Sequence, residues 1–246
     1  MLRIGTAGWA IPRPCAQNFP QSGSGLQRYA TSFHAAEINV TFYRLPRPQT
    51  LARWATESPE GFSFAVKIPK AITHQRRLVD TAELLDAFLS GIRYLGTKLG
   101  PLLIQLPPSL AYDDAASGFF RFLRTKYDGP VVCEPRHASW FADEPSASMI
   151  EHRIARVAAD PARHAVGELP GGWGAITYFR LHGNPRPYYS AYGPSRLQVI
   201  AEQLLSSRAA ETWCIFDNTA SGAALQDAIE LAAIVGDRAA PEPSRY

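Results

Sequence analysis

The chain has 246 residues, 46% of them apolar and 19% charged, which is the make-up of an ordinary globular protein long enough to bury a full core. It excludes a collagenous, disordered or disulfide-stapled chain. A net charge of +3 permits an anionic ligand but falls short of a nucleic-acid footprint, since Arg76-Arg77 is the densest basic cluster.

Short β-type runs are predicted at 3–6 (RIGT), 36–39 (AEIN), 63–67 (SFAVK), 102–106 (LLIQL), 131–134 (VVCE), 154–158 (IARVA), 177–181 (TYFRL) and 212–216 (TWCIF). Helical spacing separates most of them. Over 80–95 the apolar residues Leu84, Leu85, Phe88, Leu89, Ile92 and Leu95 recur at three and four. Asp80 or Thr81 is a candidate cap there and Gly96 a candidate stop. Segments 49–57, 113–126, 195–206 and 223–235 read in the same way. Strand–helix alternation over this length predicts an α/β fold, an irregular TIM-type (β/α)8 barrel of parallel strands forming a single domain over 1–246. The open doubly wound sheet is the rival, and Gly23-Ser24-Gly25 lacks the strand and third glycine of a dinucleotide fingerprint. Residues 7–25 form a long Pro/Gly/Ser-rich connection. Residues 161–176 are so broken by Pro and Gly that the helix between strands six and seven is expected to be reduced or missing.

No segment reaches the roughly 20 apolar residues of a membrane span, and MLRIGTAGW lacks a signal-peptide core. Cys15, Cys133 and Cys214 lie far apart without metal-ligand spacing, and the latter two sit in strand-like runs as small hydrophobes. A reducing cytoplasm is the expected compartment, with no membrane partner.

Strand side chains alternate faces. In YFRLHG, Tyr178, Arg180 and His182 share one face, and Phe179 and Leu181 take the other. Placing Phe and Leu against the helices turns Arg180 and His182 to the barrel axis. The same parity puts Glu37 and Asn39 opposite Ile38, and aligns Glu134 with Arg136. Lys67, Gln105, Asp160, Asp217 and Asn218 also fall at strand ends. The C-terminal ends of parallel barrel strands converge on one rim, so these residues are expected to share one ligand site. Trp9, Tyr43, His74, His137 and Trp140 complete the candidate set. Each has a plainer alternative: Glu134–Arg136 and Lys67–Glu37 as structural ion pairs, the histidines as hydrogen-bonded fillers, the aromatics as packing, Asp160 as a turn residue before Pro161. A rim open to water is expected to tolerate truncation of Arg180 or Glu134 with little loss of stability.

IGTAGW (4–9), EINVTFYRLP (37–46), FAVKIPKAITH (64–74), GPLLIQLPPS (100–109), EPRHASWF (134–141), YFRLHG (178–183) and FDNTASGAA (216–224) resemble, in order, the YecE-like family known as domain of unknown function 72. The resemblance implies a TIM-barrel-type fold and supplies no reaction. The family pattern has Ser where this chain has Ala7, and Ser-Tyr where Ala10-Ile11 follow Trp9. An aromatic is more usual at Pro135.

The function expected is an enzyme acting on a small anionic molecule, a phosphorylated sugar or nucleotide fragment, by acid/base chemistry. Glu134, His182 and Asp217 would move protons, and Arg136, Arg180 and Lys67 would hold the anion. No cofactor is expected. The alternatives are divalent-metal-assisted phosphodiester or sugar chemistry through Glu37, Glu134, Asp160, His182 and Asp217, and a non-catalytic protein binding nucleic acid or another ligand.

Overall fold

The computed structural model describes residues 1–239. Its strands are β1 (Leu2–Ala7), β2 (Ala35–Ile38), β3 (Ser63–Lys67), β4 (Leu99–Gln105), β5 (Val131–Glu134), β6 (Ile154–Arg156), β7 (Ala158–Asp160), β8 (Gly171–Gly172), β9 (Ile176–Leu181) and β10 (Glu211–Phe216). They form one sheet in the order β7-β9-β10-β1-β2-β3-β4-β5-β6-β8. Every pairing is parallel except that of β6 with β8. β6 and β7 are two halves of the predicted sixth strand, broken at Val157. The first half pairs with β5 and the second with β9, so the sheet curls into a nearly closed barrel of TIM type. The outer helices are α1 (Gly25–Tyr29), α2 (Pro48–Glu57), α3 (Ala82–Ile92), α4 (Asp114–Lys126), α5 (Asp143–Glu151), α6 (Pro194–Leu205) and α7 (Ala223–Ala239).

The connection over 161–176 carries only a 3-10 turn at Ala165–Glu168 and the short β8, as its Pro and Gly content predicts. The long connection after β1 holds a 3-10 turn, Arg13–Asn18, and then α1, which a Ser24–Gln27 capping box starts. Thr81 precedes α3, but its side chain makes no capping bond, and Gly96, at φ +54°, kinks the 3-10 segment Arg93–Lys98 that follows the helix. Helix α5 was not predicted.

Two apolar layers follow from strand alternation. Phe179, Leu181 and Ile38 join the outer core between sheet and helices. Tyr178, Trp213, Leu103 and Val132 fill the barrel with Ala35 and Ala65. The face assignment for YFRLHG and AEIN therefore holds. The rings of Tyr178 and Trp213 stack at 6.1 Å and close the axis beneath the polar groups. Cys133 and Cys214 are buried free thiols, small hydrophobes as expected.

Candidate functional site at the carboxyl rim

Arg180, on β9, stands at the axis and is 0% exposed, as is Glu37 from β2. Its Nε and Nη2 donate to Glu37, with Nη2 to Oε1 at 2.8 Å. Nη1 donates to Glu134 Oε2 at 3.1 Å, and Nη2 lies 3.0 Å from Asp217 Oδ2. Three carboxylates from three strand ends thus engage all three nitrogens of one guanidinium. This overturns the expectation that Arg180 holds an anionic ligand at a wet rim. All three of its nitrogens bind protein carboxylates and the side chain is fully enclosed, so little solvent reaches it to replace a lost partner.

His182 continues the same face. Its Nδ1 lies 3.1 Å from Asp217 Oδ2 and its Nε2 3.1 Å from Glu134 Oε1. A carboxylate 3.1 Å from each ring nitrogen favours both as donors, the imidazolium form, with Arg136 Nη2 farther from Nε2 at 3.5 Å. Burial opposes that charge, but Glu134 and Asp217 outweigh it and raise the ring's pKa above its ordinary value. Burial would likewise raise the Glu134 carboxyl, yet Arg136, His182 and Arg180 together hold it well below the usual range. Asp217 is lowered in the same way by Arg180 and His182 against burial.

Around this centre, Gln105 Nε2 donates to both oxygens of Glu134 at 3.1 Å. Arg136 Nη2 lies 2.8 Å from Glu134 Oε1. Asn39 Nδ2 donates to Asp217 Oδ1 at 3.3 Å. Tyr178, whose hydroxyl donates to Glu37 Oε2 at 2.7 Å, is a member that sequence reasoning placed on the right face but did not select. Lys67 ends β3 with its Nζ 4.2 Å from the Phe42 ring centroid. His74 packs edge-on against that same ring, at 5.0 Å, and bonds Thr73 through Nδ1. Burial, then Lys67 and Arg136, lower its pKa, so the ring is neutral.

The remaining candidates lie elsewhere. Asp160 turns outward, where Arg196 of α6 donates to it at 2.8 Å and Asn184 at 3.2 Å. Alternation along β7 gives the reason, because Val157 takes the axial face and Asp160 therefore does not. Asn218 is fully buried, and its Nδ2 donates to Asp227 of α7 at 2.6 Å and to Ser190 O at 2.9 Å. It anchors a loop to a helix. Trp140 is a core residue that donates to Leu110 O at 2.8 Å and packs on Tyr112 and Phe120. His137 caps its own turn by accepting from Ser139 N at 3.2 Å. Tyr43 is exposed beside Lys70.

Two clefts flank the centre. One, of about 770 Å3, is lined by Trp9, Trp54, Asn39, Glu37, Arg44 and Arg47. Trp9 packs edge-on against Trp54 at 4.8 Å. The other, of about 330 Å3, is lined by Glu134, Arg136, His182, Arg163, His164 and Tyr188. Tyr188, whose hydroxyl accepts from Arg136 Nη2 at 3.4 Å, was missed in the sequence, as were Arg163 and His164. They come from the irregular loops after β7 and β9, where no periodicity assigns a direction. At Gly183 (φ +95°) a Cβ would meet Ser190 O at 2.6 Å, so glycine is needed where that second loop folds back over the rim. Among the described residues no group of three His, Cys, Asp or Glu side chains is arranged to hold a metal ion. Arg180 occupies the point on which the carboxylates converge.

A family profile described as "Protein of unknown function DUF72" matches residues 3–245. The chain belongs to this family. The UPF0759 protein YecE of Escherichia coli K12 is 30% identical to this DUF72 chain over 144 residues, 58% of the chain and 51% of YecE. UPF0759 protein YunF of Bacillus subtilis is 29% identical over 177 residues, 69% of the chain and 61% of YunF. The alignment thus spans about half the length of YecE. A DUF72 crystal structure from Thermotoga maritima superposes with a TM-score of 0.79 at 26% identity, covering 96% of this chain and 99% of that one. One from Enterococcus faecalis gives 0.80 at 20%, covering 96% and 98%. The apo 3-keto-D-glucoside 4-epimerase of E. coli shares the architecture at a TM-score of 0.55 and 13% identity, over 95% and 99% of the two chains. No helix among the described residues is long and apolar enough to cross a membrane.

Proposed function

We propose that this DUF72 chain is an enzyme that carries out acid/base chemistry on a small anionic molecule, of the phosphorylated-sugar or nucleotide-fragment kind, at the carboxyl rim of its barrel. One observation carries the reading: His182 bridges Glu134 and Asp217 at the mouth of a cleft. An apolar filler would close the axis at less desolvation cost than this cluster of buried charges. Asp217 on Nδ1 fixes the ring, and Nε2 with Glu134 faces the 330 Å3 cleft. The imidazolium is then a general acid, and the ring left after proton loss is a base. Arg136 Nη1 makes no hydrogen bond among the described residues, and Arg163 lines the same cleft, which favours an anionic group there.

The reading is tested by titrating the protein with inorganic phosphate and glucose 6-phosphate in a calorimeter, and by following sugar phosphates in D2O by NMR. Binding that weakens at least tenfold in Arg136→Ala, with C–H exchange lost in His182→Gln, is the expected result. Neither binding nor exchange at millimolar ligand would overturn it.

A further inference from the structure

The charges at the axis match one to one except for a single amine. Glu37, Glu134 and Asp217 are balanced by Arg180, Arg136 and the doubly hydrogen-bonded His182. Lys67 is the surplus. Among the described residues its Nζ has no hydrogen-bonded or ion-paired acceptor, and it sits over the Phe42 ring at 4.2 Å. The buried side-chain polar atoms left without any partner are Arg3 Nε, Asn39 Oδ1, Arg156 Nε and Asn218 Oδ1. Lys67 Nζ is not one of these enclosed atoms, so the amine of this otherwise buried side chain keeps some access to solvent. A lysine kept for structure would be turned onto one of the three carboxylates nearby. Instead Arg180 has claimed them all.

We propose that Lys67 is a nucleophile that forms an imine with the aldehyde or ketone carbonyl of an anionic substrate. This rests on the acid/base reading above and narrows its substrate class to carbonyl compounds. The Nζ lone pair adds to the carbonyl carbon, and a proton passes from nitrogen to the new alkoxide. The C–O bond then breaks, the hydroxyl leaves as water with a proton from a neighbouring acid, the nitrogen lone pair forms the C=N bond, and the iminium returns its N–H proton to the conjugate base of that acid. Amine and carbonyl become imine and water, with no change of oxidation state. The surroundings suit each requirement. Burial first and the Arg180 charge second bring the amine down to about 8, against the pull of Glu37, Asp217 and Glu134, so part of it is the free base near neutrality. His182 is a protonated donor on the same rim. His74, neutral and sharing the Phe42 ring with Lys67, is a candidate proton carrier on a π-helical turn, a local geometry frequent at functional sites.

The experiment uses the wild-type protein, so no variant need fold. Dihydroxyacetone phosphate is added at pH 7.5, borohydride reduces any imine to a stable secondary amine, and peptide mass mapping locates the adduct. The chain has four lysines, Lys67, Lys70, Lys98 and Lys126, which serve as internal controls. Labelling of Lys67 at least tenfold faster than the others, with a rate rising through about pH 8, is expected. Labelling of Lys67 no faster than the others overturns the proposal. Phosphate binding, measured in parallel, reads the anion seat separately. Binding without a Lys67 adduct overturns the imine and leaves the acid/base reading standing. A Lys67 adduct without phosphate binding supports the nucleophile and removes the anion from the reading.

Discussion

At the residue scale, burial changes what Arg180 and Lys67 do. Arg180→Ala removes the shared cation of three buried carboxylates, and a loss on the order of 3–5 kcal/mol is expected. Thermal and urea unfolding check it, and a variant that melts close to wild type contradicts the buried network. Lys67 has the opposite sign. Its folded pKa, about 8, lies below the ordinary 10.5, so the unfolded chain binds more protons between those values and stability rises with pH there. The charged amine therefore opposes folding at pH 7. Lys67→Met should stabilise the protein at pH 7 by up to about 3 kcal/mol, a gain that fades between pH 8 and 10.5. Melting the two proteins at pH 7 and at pH 10.5 tests it, and equal melting temperatures at pH 7 would refute it.

At the element scale, helices with a clear apolar stripe were legible, and their ends nearly so. The stretch 113–126 became α4 (Asp114–Lys126), capped by Asp113, whose carboxylate accepts from Ala116 N at 3.1 Å. Asp113→Ala should cost about 1 kcal/mol in urea unfolding. Helix α5 escaped notice because DEPSASMIE buries only Pro145, Ser148 and Met149, too few apolar positions for a stripe. Its acidic first turn, Asp143 and Glu144, was the available signal. Trp140 shows the limit of reading chemistry from neighbours in sequence. It follows Glu134 and Arg136 closely, yet the 3-10 turn Ala138–Phe141 swings it into the core. Trp140→Ala should lose about 3–5 kcal/mol of stability, measured by urea unfolding. Trp140→Phe, which keeps most of the packing, should bind phosphate as the wild type does, a calorimetric comparison that would expose any contact of Trp140 with ligand.

At the scale of the whole molecule, the rim sets the pH dependence of folding. Glu134 and Asp217 have folded pKa values below the unfolded ones, so their stabilisation is complete above about pH 4.5 and lost as pH falls through the folded values. His182 is raised, so its contribution is complete below 6.5 and lost as pH rises through its folded value. Asp227, which burial raises to about 6 despite bonds from Asn218 and Tyr192, likewise favours folding on the acid side of that value. The melting temperature should therefore peak near pH 5–6 and decline above 6.5 as His182 deprotonates, until the loss of the Lys67 charge opposes the decline from about pH 8. A melting temperature that rises between pH 6.5 and 8, below the range in which Lys67 adds stability, would contradict the imidazolium bridge.

The sequence by itself determined the strand order and which side chains of each regular strand face the axis, because a period of two leaves no freedom once the apolar face is known. Glu37, Gln105, Glu134, Arg180, His182 and Asp217 were assigned to one rim on that basis, and the structure brings them together. Asp160 was assigned to the rim against the alternation that Val157 sets, and Asn218 was misplaced where the chain leaves β10 for α7. Only the tertiary structure decided who pairs with whom. Which cation takes the carboxylates depends on distances across the barrel between strands far apart in sequence, and on how much water reaches them. Those same distances enclosed Arg180 and left Lys67 an amine with no ion-paired acceptor among the described residues.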